Sequence, residues 1–183
     1  MFIIDFENTF KPILLIFDRE LSVMEFYSPQ KKSAPELIRV EIKPHLDKLL
    51  PDVYNLAMGP LNEENKINDK IRLKHINSNR LFSTIILFAT AFLSEYPVFT
   101  IGLDGSDDIR ATLYHSMFLT NRKHLSQYII CIGVDWYVKL LRNQLEIEVK
   151  SDGTPFFKPR PEQFDYARPR YDLYRYYMFQ LKK

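Results

Sequence analysis

Residues 79–121 read NRLFSTIILFATAFLSEYPVFTIGLDGSDDIRATLYHSMFLTN, and this stretch gives the clearest indication of the fold. Its first part, residues 79–95, is apolar around most of a helical axis, which predicts a helix inside a hydrophobic core. Pro97 ends that helix, because proline cannot continue the hydrogen-bond pattern of a helix. Residues 98–103 predict a strand, and residues 107–121 predict a second helix. The stretch is therefore expected to form a helix–strand–helix unit.

Apolar runs on both sides of this unit predict further strands. They lie at residues 13–17, 23–27, 37–42, 52–58, 128–134 and 145–149. With two helices among this many strands, we expect an α+β fold, a mostly antiparallel sheet packed against the helices at 79–95 and 107–121. The chain has 183 residues, near the usual size of one domain, so residues 1–183 are expected to form a single domain.

Composition and charge argue against several classes of protein. Glycine is scarce and the net charge is only +2, so neither a low-complexity chain nor a strongly basic protein is indicated. Cys131 is the only cysteine, which excludes an intramolecular disulfide. The longest apolar run, residues 81–93, is shorter than the roughly 20 residues of a membrane span. No secretory signal is visible, so we expect a cytoplasmic protein without membrane association.

Three carboxylates lie between the predicted strand and the second helix, in residues 104–108, which we name the acidic turn. Carboxylate oxygens are the ligands that Mg²⁺ prefers, and a bound Mg²⁺ could in turn hold a phosphate group. The acidic turn is thus the candidate site of a metal-dependent enzyme acting on nucleotides or phosphodiesters. The candidate catalytic residues are Asp104, Asp107, Asp108, Arg110 and His115.

The acidic turn also has a structural interpretation, which we favour. A short polar side chain just before a helix caps its N-terminal N–H groups, and acidic residues in the first turn oppose the helix dipole. Ser106 or Asp104 is the expected cap, with Asp107 and Asp108 in the first turn. Such caps are common and isolated acidic triplets are weak signals, so we expect no metal and no cofactor.

Aromatic and arginine side chains alternate in the C-terminal segment, residues 155–183. From residue 150 onward, eight Lys or Arg residues face four Asp or Glu residues. The segment could dock on the body, form a protein interface or bind single-stranded nucleic acid, and we favour these uses in that order, because the positive charge is dilute for a phosphate track. The candidate binding residues are Arg168, Arg170, Tyr171, Tyr174, Arg175 and Tyr177.

Three segments in the middle of the chain resemble a known family. Residues 53–59 read VYNLAMG, residues 92–97 read FLSEYP and residues 105–114 read GSDDIRATLY. In this order they are similar to an uncharacterised bacterial family, a domain of unknown function. Its members share an aromatic-Asn-Leu-Ala segment, a helix that ends near Tyr-Pro and a Gly-Ser…Arg…Leu-Tyr element. The chain departs from this pattern at Pro60, where an acidic residue is common. The resemblance implies a bacterial, cytosolic α+β domain and no particular activity.

These observations leave three hypotheses for the function. The favoured one is a non-enzymatic interaction protein, a component of a bacterial system of the defence or toxin–antitoxin type, which binds another protein or a second copy of itself. The second is the metal-dependent enzyme built on the acidic turn. The third is a single-stranded nucleic-acid binder that uses the C-terminal segment.

Overall fold

The computed structural model describes residues 2–68, 71–141 and 146–182. Within these residues the chain forms eight β-strands and three helices. In chain order they are β1 (Leu14–Ile16), β2 (Ser22–Ser28), β3 (Glu36–Pro44), β4 (Val53–Pro60), α1 (Ser78–Glu95), β5 (Thr100–Asp104), α2 (Asp108–Thr120), α3 (Arg122–Leu125), β6 (Ile129–Tyr137), β7 (Lys158–Gln163) and β8 (Tyr176–Leu181).

The eight strands form one sheet in the order β1-β2-β3-β4-β5-β8-β6-β7. Neighbouring strands are antiparallel except β4 and β5, which run parallel and are connected through α1. Parallel neighbours need a crossover connection, which the 18-residue α1 provides. The predicted α+β fold, a mostly antiparallel sheet packed against two main helices, is confirmed.

The two main helices begin and end within one residue of their predicted bounds. Asn77 caps α1, since its Oδ1 accepts the Arg80 N–H at 2.9 Å. Ten of the eighteen residues of α1 are buried, as expected for a helix that is apolar on most sides. α2 is followed directly by the short α3, so the predicted second helix ends at Thr120.

The sheet has a different environment on each face. The main core joins buried side chains of α1 and α2 to one face, with Phe26, Ile42 and Phe179 among its most buried members. A smaller cluster lies on the opposite face, because successive side chains of a strand point to opposite sides. It consists of Leu50, Val53, Val134, Tyr176 and Met178, with Ile132 and Trp136 packed against it.

The C-terminal segment supplies two strands of the sheet, β7 at one edge and β8 in the interior. β8 lies between β5 and β6 and pairs with both, so residues distant in the chain close the sheet. The Tyr177 hydroxyl donates to the Ala111 carbonyl at 2.9 Å, which joins this strand to α2. Four successive residues of β8, from Tyr176 to Phe179, are buried.

The prediction of a strand at residues 145–149 is wrong for the part of this segment that the structure describes. Leu145 lies outside the described residues, and Ile147 and Val149 form only isolated bridges, with Leu140 and Pro155. The alternation of glutamate with apolar residues does not reflect a strand in this segment. Glu148 forms an ion pair with Lys158 at 2.6 Å, which holds this segment against the start of β7.

Candidate functional site

The acidic turn connects the end of β5 to the start of α2, and its carboxylates form local hydrogen bonds. Asp107 Oδ1 accepts the Arg110 N–H at 2.8 Å, so Asp107 is the N-cap of α2. Asp104 Oδ1 accepts the Ser106 N–H at 2.8 Å, and its Oδ2 accepts the Ser106 hydroxyl at 3.1 Å. The expectation that Ser106 or Asp104 caps the helix is therefore wrong, since these two residues bond to each other and the cap is one residue later.

Each carboxylate of the acidic turn also lies near an arginine. The Arg110 guanidinium is 3.2 Å from Asp107 Oδ2 and 3.7 Å from Asp104 Oδ2. Asp108 Oδ1 is 2.7 Å from Arg175 Nη1 of the C-terminal segment. Among the described residues, no group of three or more His, Cys, Asp or Glu side chains is placed to hold a metal ion. This arrangement stabilises the start of α2 and places an arginine beside each carboxylate as a counter-charge.

His115, the fifth candidate catalytic residue, points away from the acidic turn. Five residues after Arg110, it is turned about 140° around the axis of α2. Its ring packs on Phe164 with the centroids 5.2 Å apart, and burial lowers the pKa of His115. The structure therefore does not bring His115 together with the carboxylates that it was predicted to join.

Asp104 and Arg110 line a cavity of about 410 Å³ with His75 and Tyr114. His75 Nδ1 is 2.9 Å from the Gln30 amide nitrogen, which can only donate, so Nδ1 is the acceptor and the ring is held neutral. Burial lowers the pKa of His75 and raises the pKa of Tyr114 to about 12. At neutral pH both groups are therefore uncharged in the folded chain.

Three of the six candidate binding residues of the C-terminal segment lie inside the protein. Tyr174 and Tyr177 are fully buried. Arg168 has a largely buried side chain, with its guanidinium 2.8 Å from Asp135 and stacked 3.9 Å from the ring centre of Tyr174. These residues connect the loop before β8 to β6 and cannot form a binding surface.

The other three binding candidates, Arg170, Tyr171 and Arg175, are exposed and lie together. They line a cavity of about 180 Å³ with Asp108, beside the first turn of α2. The two features singled out in the sequence, the acidic turn and the arginine-rich segment, thus contact each other. Much of their charge is satisfied within the protein.

The sequence predicts a strand at residues 13–17 but not its place at the edge of the sheet. β1 pairs with β2 on one side only, and residues 13–17 expose five consecutive apolar side chains. We name residues 13–17 the apolar edge. At the opposite edge, β7 carries Pro159 and Pro161 between charged residues, which hinder pairing with another strand. The apolar run itself is visible in the sequence. Its exposure is not, because the order of strands in a sheet cannot be read from the hydrophobic pattern.

Taken together, the described residues define an α+β domain with two helices on one face of an eight-stranded sheet. The chain belongs to a family of unknown function, DUF6934, whose pattern matches residues 15–147. Neither the curated proteins nor the solved structures gave a match to this chain. The predicted membership of an uncharacterised domain family is confirmed. Within the described residues, no helix is long and apolar enough to cross a membrane.

Proposed function

We propose that this protein is a protein-binding component that pairs with a second copy of itself through the apolar edge. The observation that carries this proposal is the exposure of every side chain from Ile13 to Phe17, a run that contains the terminal strand β1 of the sheet and one residue on either side of it. A terminal strand can accept a further strand, and natural proteins usually protect such edges with charge or proline. This edge has neither within residues 13–17.

The chemistry of the apolar edge favours a second copy as the occupant. Leu14 and Ile16 are in register with Glu25 and Val23 of β2, on the face opposite the main core, while Phe17 contacts Phe88 of α1 at 5.4 Å between ring centres. Both faces are therefore apolar, and a complementary strand must be apolar on both faces and uncharged. The apolar edge itself meets this requirement.

A two-fold pairing about Leu15 gives compatible neighbours. Ile13 would lie opposite Phe17 of the copy, and Leu14 opposite Ile16, which are aliphatic and aromatic pairs of the kind that stabilise antiparallel strands. Pairing through one short strand buries less surface area than a typical stable complex does, so we expect a weak association. We expect dimers to form at a concentration of about 100 μM.

Sedimentation velocity across a range of protein concentrations tests the proposal. The wild-type chain should change from monomer to dimer as concentration rises, and Leu15→Lys should stay monomeric, because it would place two buried ammonium groups opposite each other. The matched control is Leu119→Lys on α2, since the exposed fractions are 50% for Leu15 and 47% for Leu119. The control variant should associate like the wild type.

The self-pairing proposal fails if the wild type stays monomeric at every concentration or if both lysine variants associate equally. A strand of another protein is the alternative occupant, and it would be found as a complex that Leu15→Lys abolishes in a protein monomeric by itself. The bacterial origin, the cytoplasmic location and the defence or toxin–antitoxin type of system are part of the proposal. The hydrogen bonds and arginine pairs of the acidic turn support a binding protein over the metal-dependent enzyme.

A further inference from the structure

We infer that the face of the sheet opposite the two main helices carries a second binding site, a groove for single-stranded nucleic acid. The groove has a volume of about 1160 Å³ and lies over the ends of β4, β5, β6 and β8. It is distinct from the apolar edge, and the inference does not depend on the proposed self-pairing. Only Arg175 belongs both to the groove and to the binding residues predicted from the sequence.

The charge along the groove indicates an anionic ligand. Four exposed basic side chains line it, from Lys43, Lys48, Lys150 and Arg175. Arg175 also forms an ion pair with Asp108 at 2.7 Å, so the three lysines supply the charge for an anion. Two acidic residues, Asp47 and Asp104, also line it, and each accepts a backbone N–H within its own loop. The cations come from three separate segments of the chain, residues 43–48, 150 and 175, so the fold concentrates at one place a charge that the sequence disperses.

Ring side chains in the same groove indicate a ligand with flat groups. They are His45, Trp136, Phe156, Phe157 and Tyr176. Trp136 is half-buried and Phe157 is exposed, so both can offer a ring face to a ligand. A positively charged groove with aromatic platforms is the arrangement by which proteins hold single strands, since bases stack on rings while cations contact phosphates.

The base of the groove is rigid. The Tyr176 ring lies across Gly102, and its hydroxyl donates to Asn55 Oδ1 at 3.1 Å, so β8, β5 and β4 are connected at this point. His45 packs edge-on against the same ring, with the centroids 5.3 Å apart. A site formed on strands keeps its shape when empty, which lowers the entropic cost of binding.

The size of the groove favours a strand over a free nucleotide. Sites for small ligands usually enclose roughly 300–1,000 Å³, and this groove is larger. A free nucleotide offers the same phosphate and base chemistry, so it is tested as a separate arm. A duplex has its bases stacked and paired, and it should bind less tightly than a single strand.

Fluorescence of Trp136 provides a direct test, because it is the only tryptophan in the chain. Titration with a 12-nucleotide oligothymidylate at low salt should quench the emission. If the three lysines contact phosphates, the logarithm of the association constant should fall against the logarithm of salt concentration with a slope of about −2. Phe157→Ala should weaken binding by about tenfold, through the loss of one stacked base.

The charge-reversed variant K43E/K48E should bind at least about tenfold more weakly, with a shallower salt slope. Its matched control is K31E/K32E, which makes the same change of charge at two exposed lysines outside the groove, and it should bind within about twofold of wild type. Circular dichroism and the thermal midpoint confirm that both variants are folded.

Three results would overturn the inference. The first is the absence of quenching and of anisotropy change with the oligonucleotide at low salt. The second is an equal loss of affinity in K43E/K48E and K31E/K32E, which would indicate diffuse attraction to the whole surface. The third is a thymidine nucleotide or a 12-base-pair duplex that binds as tightly as the single strand.

Discussion

Arg175 and Asp108 form an ion pair of 2.7 Å that joins the C-terminal segment to the acidic turn. Asp108 follows the cap of α2, and Arg175 immediately precedes β8. The pair is exposed, so it contributes little to stability by itself. It places the two charged features of the sequence within ion-pair distance of each other, beside the helix start that Asp107 caps, so we expect a structural role for the acidic turn.

Replacement of Asp107 should reveal this structural role. Asp107→Ala removes the N-cap of α2 and should lower the free energy of unfolding by about 1 kcal/mol. Asp107→Asn should be close to wild type, because asparagine caps helices as well as aspartate does. Urea denaturation with and without Mg²⁺ is the measurement. A rise in stability with Mg²⁺ that Asp107→Asn removes would show instead that the carboxylates bind a cation.

Gly102 should not tolerate a side chain. A Cβ at this position would overlap the buried Tyr176 ring, so Gly102→Ala should cost about 1–3 kcal/mol of unfolding free energy. The effect should shrink when Tyr176→Leu is also present, because the smaller side chain leaves room. A double-mutant cycle by chemical denaturation measures this coupling. Equal effects of Gly102→Ala in both backgrounds would contradict the contact.

The C-terminal strand should be required for folding, although the family match ends at residue 147. Deletion of residues 158–183 removes β7 and β8, and β8 separates β5 from β6 in the sheet. The shortened chain should lose its cooperative thermal unfolding and its near-ultraviolet circular dichroism. Deletion of residues 182–183 alone should keep both signals. Cooperative unfolding of the longer deletion would mean that β8 is dispensable.

Stability should fall as the pH drops below about 6.5. Burial lowers the pKa values of His75 and His115 in the folded chain, so in this range the unfolded chain binds more protons. Thermal midpoints measured between pH 7.5 and pH 5.5 should therefore decrease, whereas midpoints at pH 7.5 and 8.5 should agree. His75→Asn should reduce the decrease. A midpoint that rises on acidification would show that these histidines gain protons on folding.

The sequence predicts most elements of this fold up to β6, and it predicts the two strands of the C-terminal segment and the arrangement of the sheet less well. The continuous apolar surface at residues 81–93 and the stop at Pro97 were sufficient to define α1, since they depend on local physics. The insertion of β8 between β5 and β6 depends on contacts between distant residues. The hydrophobic pattern of a single segment carries no information about such contacts. β8 shows no alternation of apolar and polar residues, because both of its faces are buried. Tyr176 and Tyr177 point to opposite faces and are both buried.

The candidate sites were less predictable than the fold, for the same reason. Alternating aromatic and basic residues indicated a surface, yet Tyr174 and Tyr177 form part of the core. A residue of the acidic turn does cap α2, but the cap is Asp107, one residue later than the expected Ser106. The groove was not predicted, since its cations come from three separate segments that only the folded sheet brings together.

Amide hydrogen exchange at low and high protein concentration tests the central proposal, that the apolar edge pairs with a second copy. At high concentration, exchange in residues 13–17 should slow relative to low concentration, because inter-strand hydrogen bonds protect amides. Exchange in α2 and in the C-terminal segment should not change. Association of the chain with no slowing in residues 13–17, or with protection confined to another surface, would contradict the proposal.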